Sequence, residues 1–321
     1  MTEPLKEVRD GYVIALNLGT PPQIIQVYLD TGSDLTWVPC GNLSFDCLDC
    51  NDYRNNKFTT MSGCSLTTLV RSTCSRPCPS FAYTYGDGIV AETLSRDILR
   101  VHASNPNSTR EITRRPSHNP QRLPTIHSNV ESPMYPNFYY IGLEAITVGN
   151  TTPTQVPLNL RGFDSAGNEG MIIDSGTTYT HLPEPFYSQL VETLEAAITY
   201  PRATQVEERS GFSLCYHVPC QFNNILGADD IPPITFHFLK NASLTLPQGN
   251  SFYAMGAPSN STVVKCLLFQ SMDGENEIDH HYGPAGVFGS FQQQNVEVVY
   301  DLNKERIGFQ VSDCAVAAVS S

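Results

Sequence analysis

Positive charge is scarce in this chain of 321 residues: 19 Lys and Arg stand against 32 Asp and Glu, a formal net charge of −13. A nucleic-acid partner would require a basic face, so that class is excluded. Long apolar runs are missing too. None approaches the roughly 18 residues that a helical membrane span needs, and the tail after Cys314 is too short and too mixed for a lipid-anchor signal. The first ten residues, MTEPLKEVRD, contain no apolar core of the kind a signal peptide carries, so no signal peptide is expected in this chain. Tryptophan occurs once, at Trp37. Between Ala103 and Tyr135 apolar side chains thin out: 7 of 33 residues, against 40% for the chain, with five prolines among them. Such a stretch cannot bury a core of its own and reads as linker or disorder.

Cysteine is plentiful. Six of the ten fall early, at Cys40, Cys47, Cys50, Cys64, Cys74 and Cys78, and four late, at Cys215, Cys220, Cys266 and Cys314. Cys47 with Cys50 and Cys74 with Cys78 could be two halves of a zinc site. Each group is even in number, however, and the chain carries five glycosylation sequons, starting at Asn42, Asn107, Asn150, Asn241 and Asn260. Together they favour disulfides in an oxidising, secretory setting. Six cysteines allow about 15 pairings, and the sequence does not choose among them. His280-His281 has no third ligand spaced nearby, so no metal is expected there.

The chain is organised around a stretch that occurs twice. Asp30-Thr31-Gly32-Ser33 is matched by Asp174-Ser175-Gly176-Thr177, and strand-like runs lead in, Val27-Tyr28-Leu29 and Met171-Ile172-Ile173. An Asp at a strand end, followed by Gly, sits on a turn whose backbone a second copy can approach. Two carboxyls brought that close cannot both ionise; they share a proton, and one acts as base while the other acts as acid. The flanks repeat as well. Gly11 to Gly19 is a strand candidate, Thr20 to Gln23 turns the chain, and Gln26 to Leu29 runs back toward Asp30; Tyr139 to Gly149 reads as a strand ahead of the second motif. Pro183-Glu184-Pro185 opens a helix with Phe186, Leu190, Leu194 and Ile198 on one face. Val296 to Asp301 and Arg306 to Phe309 read as a closing hairpin. These elements describe a mainly β protein built from two copies of one lobe.

With Leu35-Thr36-Trp37-Val38-Pro39 after the first motif and Tyr83-Thr84-Tyr85-Gly86-Asp87-Gly88 further on, the chain resembles the pepsin-like aspartic proteases. The cysteine-rich insert resembles the plant, nepenthesin-type branch. The divided ionisation of the aspartate pair is a known property of that family. The resemblance implies a bilobal pepsin-like fold with a cleft, an N-terminal lobe over 11–136 and a C-terminal lobe over 137–314. It implies an aspartic endopeptidase working at acid pH on an extended peptide or protein substrate, as a monomer, with no metal and no organic cofactor. Asp30 and Asp174 would be catalytic, with Gly32 and Gly176 in their turns. Thr31 and Ser175 would brace the two loops, and Ser33 and Thr177 would bond the outer carboxylate oxygens. A hairpin carrying Tyr85, Gly86 and Asp87 would close over the substrate. The family implies a secretory destination: extracellular, cell wall or vacuole.

One departure stands out. In this family an apolar-apolar-Gly segment threads beside each catalytic loop. Val287-Phe288-Gly289 supplies it for Asp174, but nothing between Gly88 and Tyr139 matches it for Asp30. The first lobe is therefore expected to lack its later half, through a splice variant or a faulty gene model. Two rival classes follow from that gap: a catalytically impaired relative acting as a binding or inhibitory protein, and a partly folded product.

Overall fold

The computed structural model describes residues 6–8, 11–18, 22–33, 46–47, 81–85, 88–92, 95–96, 98–102, 109–113, 134–219, 231–257, 261–272, 283–302 and 306–312. They divide into two compact units. Residues 12–29 and the described segments from Ser33 to Thr113 belong to the first; Gly11, Asp30–Gly32 and everything from Met134 onward belong to the second.

In the first unit the strand Gly11–Leu18 pairs antiparallel with Gln23–Tyr28, setting Leu18 opposite Gln23 and Val13 opposite Tyr28. The returning strand starts at Gln23, three residues earlier than the sequence suggested, because the β-branched pair Ile24-Ile25 continues the ladder. Phe81–Tyr85 and Gly88–Glu92 form a hairpin with Tyr85 opposite Gly88. Ile98–His102 pairs both with Gly11–Leu18 and with Thr109–Thr113. This last strand corrects the expectation of a linker throughout 103–135. Low apolar content argues against core, but Thr and Ile at 109, 112 and 113 suit an edge strand once a neighbour offers free backbone groups.

The strand leading to Asp30 is thinly covered. Ile24 is 75% exposed and Tyr28 65%, and among the described residues its one strand partner is Gly11–Leu18.

The second unit holds the main core. Its five-stranded sheet runs in the order Tyr139–Ile141, Met171–Ile173, Gly286–Phe288, Thr180–Leu182, Phe269–Ser271. The strand leading to Asp174 is an interior strand of this sheet, antiparallel to Tyr139–Ile141 and parallel to Gly286–Phe288. Met171 and Ile173 are fully buried, and Ile172 nearly so. A second sheet places Leu143–Val148 against Ile234–Phe238, and that strand against Ala242–Thr245. The expected single strand over Tyr139 to Gly149 is thus two strands in two sheets. The break falls at Gly142, whose carbonyl accepts from the Leu239 N–H at 2.8 Å and so leaves the first ladder.

The core between these sheets includes Leu143, Leu160, Phe236, Phe269 and Phe288. The helix Phe186–Ala197 lays Phe186, Tyr187, Leu190 and Leu194 against it; Ile198 is buried too, but as an extended C-cap. Cys215 is bonded to Cys266, linking two paired strands. Cys220, Cys314 and the side chains of the six early cysteines lie outside the described residues, as does His280-His281. The closing hairpin pairs Val296–Asp301 with Arg306–Val311. No described helix is long and apolar enough to cross a membrane.

Candidate active site

Each Asp motif makes the same local turn. The Gly32 N–H donates to Asp30 Oδ1 at 2.8 Å, and the Gly176 N–H donates to Asp174 Oδ1 at 2.7 Å. The two turns then interlock. The Thr31 N–H donates to Ser175 Oγ at 3.2 Å, and the Ser175 N–H donates to Thr31 Oγ1 at 3.0 Å. Thr31 Oγ1 itself donates a hydrogen bond to the Ile173 carbonyl at 3.2 Å.

Glycine is required at both turns by space. A Cβ at Gly32 would overlap the Asp174 carboxyl, and one at Gly176 would overlap the Asp30 carboxyl. The clearances are reciprocal: each motif's glycine makes room for the other motif's acid. Each carboxyl thus lies against the turn that carries the other, and the charge of Asp30 acts on Asp174.

Their surroundings differ. Asp30 is exposed, whereas Asp174 is 9% exposed. Burial pushes the Asp174 carboxyl above the usual carboxylate range. Bonds from the Thr177 hydroxyl and the Gly176 N–H pull the other way, and the charge and hydrogen bond of Asp30 raise it further. Thr177 Oγ1 donates to Asp174 Oδ2 at 2.6 Å. Burial and the nearby Asp30 charge both act against ionising Asp174.

The Asp174 loop is clamped from behind by the segment after Gly286. The Asp174 N–H donates to the Phe288 carbonyl at 3.0 Å, and the Ser290 N–H to the Thr177 carbonyl at 2.7 Å. Fully buried Gln292 locks the loop's far end: its Oε1 accepts from the Thr180 N–H at 2.9 Å and from Thr180 Oγ1 at 2.7 Å. Its amide nitrogen donates to the Asn250 and Leu268 carbonyls. Sequence reasoning passed over this lock. The clue was there in Gln292-Gln293-Gln294, three uncharged amides shortly after an apolar strand, where buried hydrogen bonding is the economical explanation.

Ser33 is half-buried beside Gly32. Tyr85 ends its strand in the first unit; Gly86, Asp87 and Trp37 fall outside the described residues.

Comparison with known proteins identifies the family. The sequence matches the family described as Xylanase inhibitor C-terminal over residues 138–311, and Xylanase inhibitor N-terminal over 12–118. It is 27% identical to the aspartic proteinase nepenthesin-1 of Nepenthes gracilis, over 96% of this chain and 79% of that one. The chain belongs to the plant pepsin-like aspartic proteases, in the branch of nepenthesins and xylanase-inhibitor-like proteins. Another member of this family, a probable aspartyl protease of Arabidopsis thaliana, is 26% identical over 95% of this chain and 82% of its own. The fold is shared with the crystal structure of edgp, at a TM-score of 0.67 and 16% identity over 98% of this chain and 95% of that one. It is shared also with Basic 7S globulin from soybean, at a TM-score of 0.62 and 15% identity, covering 97% and 96% of the two chains.

Proposed function

We propose that this chain is an aspartic-type endopeptidase that hydrolyses peptide bonds at acid pH through Asp30 and Asp174. The observation that carries this reading is the reciprocal approach of the two carboxyls, each against the other motif's glycine, inside a matched frame of backbone donors. A pair holding one proton can act on both partners of a hydrolysis. The ionised carboxyl takes a proton from a water as its oxygen attacks the scissile carbonyl carbon; the protonated carboxyl gives its proton to the carbonyl oxygen. Collapse of the tetrahedral diol breaks the C–N bond, with a proton returned to the leaving amine. Ser33 belongs to the Asp30 side of this frame as Thr177 does to the Asp174 side, and the Tyr85 hairpin covers the bound peptide.

Two further readings accompany it. The chain is destined for the secretory pathway, supported by the Cys215–Cys266 disulfide and by the exposure of the acceptors Asn150 and Asn241. The first lobe is short of its later half, supported by the thin cover of the Asp30 strand. The match to the Arabidopsis protein also spans 422 aligned positions, so at least 101 of them find no residue in a chain of 321.

The test is cleavage of an unfolded protein across an acid-to-neutral series. Asp30→Asn and Asp174→Asn should each abolish it. Full cleavage by either variant would refute the assignment, and tight peptide binding without turnover by the unaltered chain would favour a binding protein.

A further inference from the structure

Gly289 leaves no room for a side chain. A Cβ there would overlap the Tyr179 carbonyl and crowd the Thr180 nitrogen. The segment behind the Asp174 loop therefore carries its most pliant residue at its tightest point. The residue before it is Phe288, whose carbonyl receives the Asp174 N–H at 3.0 Å. An unsupported glycine joint would let that carbonyl swing, and the start of the Asp174 turn with it.

The Gln293 side chain closes the joint. Its Nε2 donates to the Phe288 carbonyl at 3.1 Å and to the Gly289 carbonyl at 3.1 Å. Only the nitrogen end of an amide can face two carbonyl oxygens, and its two N–H groups are both used here. The Phe288 oxygen has two lone pairs to offer; the Asp174 N–H takes one and Gln293 the other. Gln293 is 7% exposed and lies in the short turn Phe291–Gln293, its own N–H donating to the Ser290 carbonyl at 3.0 Å. That turn is tied to the loop through Phe291 as well, whose N–H donates to the Thr178 carbonyl at 3.1 Å. The neighbouring amides divide the work: Gln292 holds Thr180 at the far end of the loop, and Gln293 holds the carbonyl at its acid end.

We propose that Gln293 is a positioning residue for Asp174: its amide fixes the Phe288 carbonyl, which in turn fixes the Asp174 N–H and the placement of the carboxyl. This rests on the endopeptidase reading above. An apolar side chain of the same length would fill the space and leave the glycine joint free, so packing alone does not account for an amide here.

The test uses Gln293→Met, which keeps the length of the side chain and removes both donors. Gln293→Glu is its rescue: a carboxyl kept protonated by burial at acid pH offers one O–H. Three readouts are taken: cleavage kinetics, hydrogen exchange of the Asp174 amide, and NMR titration of the Asp174 carboxyl in 13C-aspartate-labelled protein, assigned with Asp174→Asn. In Gln293→Met, kcat should fall about tenfold, the weight of one hydrogen bond, with KM within about twofold. The Asp174 amide should exchange at least about tenfold faster, while amides of the strand pair Leu143–Val148 and Ile234–Phe238 keep their rates. The Asp174 carboxyl should titrate lower, nearer the ordinary carboxylate range, as looser placement admits water. At acid pH Gln293→Glu should recover most of the lost kcat. Should Gln293→Met not fold, Gln293→Asn, one methylene too short for this reach, takes its place with the same expectations. Unchanged exchange and kcat, equal acceleration of exchange at Asp174 and in the distant strand pair, or a Gln293→Glu no better than Gln293→Met at acid pH would overturn the inference. If the unaltered chain cleaves nothing at any pH while Asp174 exchange and titration still shift in Gln293→Met, the inference stands and the endopeptidase reading falls.

Discussion

Asp174 carries a consequence for stability as well as for chemistry. Its carboxyl is held above the usual range, mainly by burial. An acid raised in this way binds its proton more tightly folded than unfolded. Its stabilising contribution is complete below the unfolded pKa and is lost as pH rises through the folded one. Asp174→Asn keeps an acceptor for the Gly176 N–H and offers an N–H toward Asp30 in place of the shared proton. The variant should therefore melt above the unaltered chain at neutral pH, and the difference should disappear on acidification, as thermal melts across the range will show. Gly32→Ala makes a sharper prediction. The added methyl would displace the Asp174 carboxyl, and a shift of about 1 Å in a reacting group costs about 100-fold in kcat. Steady-state kinetics will register it with little change in KM. At this scale the two matching turns were legible in the sequence, because the same Asp-x-Gly pattern recurs at two strand ends. The bond from Thr31 to the Ile173 carbonyl was not, because it joins residues far apart in the chain and follows from no local pattern.

Among the elements, those with a local period were readable: the helix from Phe186, the closing hairpin and the strand into Asp174. Junctions were less so. The break at Gly142 depends on a hydrogen bond from Leu239, and the strand Thr109–Thr113 depends on a neighbour that offers it a ladder. Composition sees neither. The Gln292 lock belongs to the same class, and it is testable. Gln292→Ala would strip the buried Thr180 N–H and hydroxyl of their acceptor. Each buried polar group left unpaired costs about 1–3 kcal/mol, so urea unfolding should show a loss of at least about 2 kcal/mol. The disulfide closes a long loop, its cysteines standing 51 positions apart in the chain. Replacing Cys215 and Cys266 by Ala should cost about 2–5 kcal/mol by the same measurement.

For the whole molecule, the contrast between the two Asp strands sets the expectation. The strand into Asp174 is buried on both faces and flanked on both edges; the strand into Asp30 keeps Ile24 and Tyr28 largely in water. We expect the chain as written to be a weak catalyst, since one half of the pair rests on a poorly covered strand. A version whose first lobe carries an inserted apolar-apolar-Gly segment after the Tyr85 hairpin should show at least about tenfold higher specific activity, given how steeply rate depends on carboxyl placement. Equal activity in the two would mean that the chain already supports Asp30 by other means. The two-lobe plan itself was visible in the repeated motifs and flanking strands. The unequal cover was not legible there, since exposure is a property of neighbours.

The reciprocal clearance at Gly32 and Gly176 has a last consequence, for how this family's variation is to be interpreted. Damage at either glycine is felt by the acid of the opposite repeat, so a mutational scan scored repeat by repeat would assign each lesion to the wrong half. Neither repeat can drift alone. A change that shifts one carboxyl is acceptable only if the partner's turn shifts with it, and the two halves are expected to accumulate substitutions in matched pairs. Fragments cut between the motifs inherit the same dependence: residues 121–321 expressed alone would carry Asp174 and Gly176 but would lack Asp30–Gly32, which the second unit counts as its own.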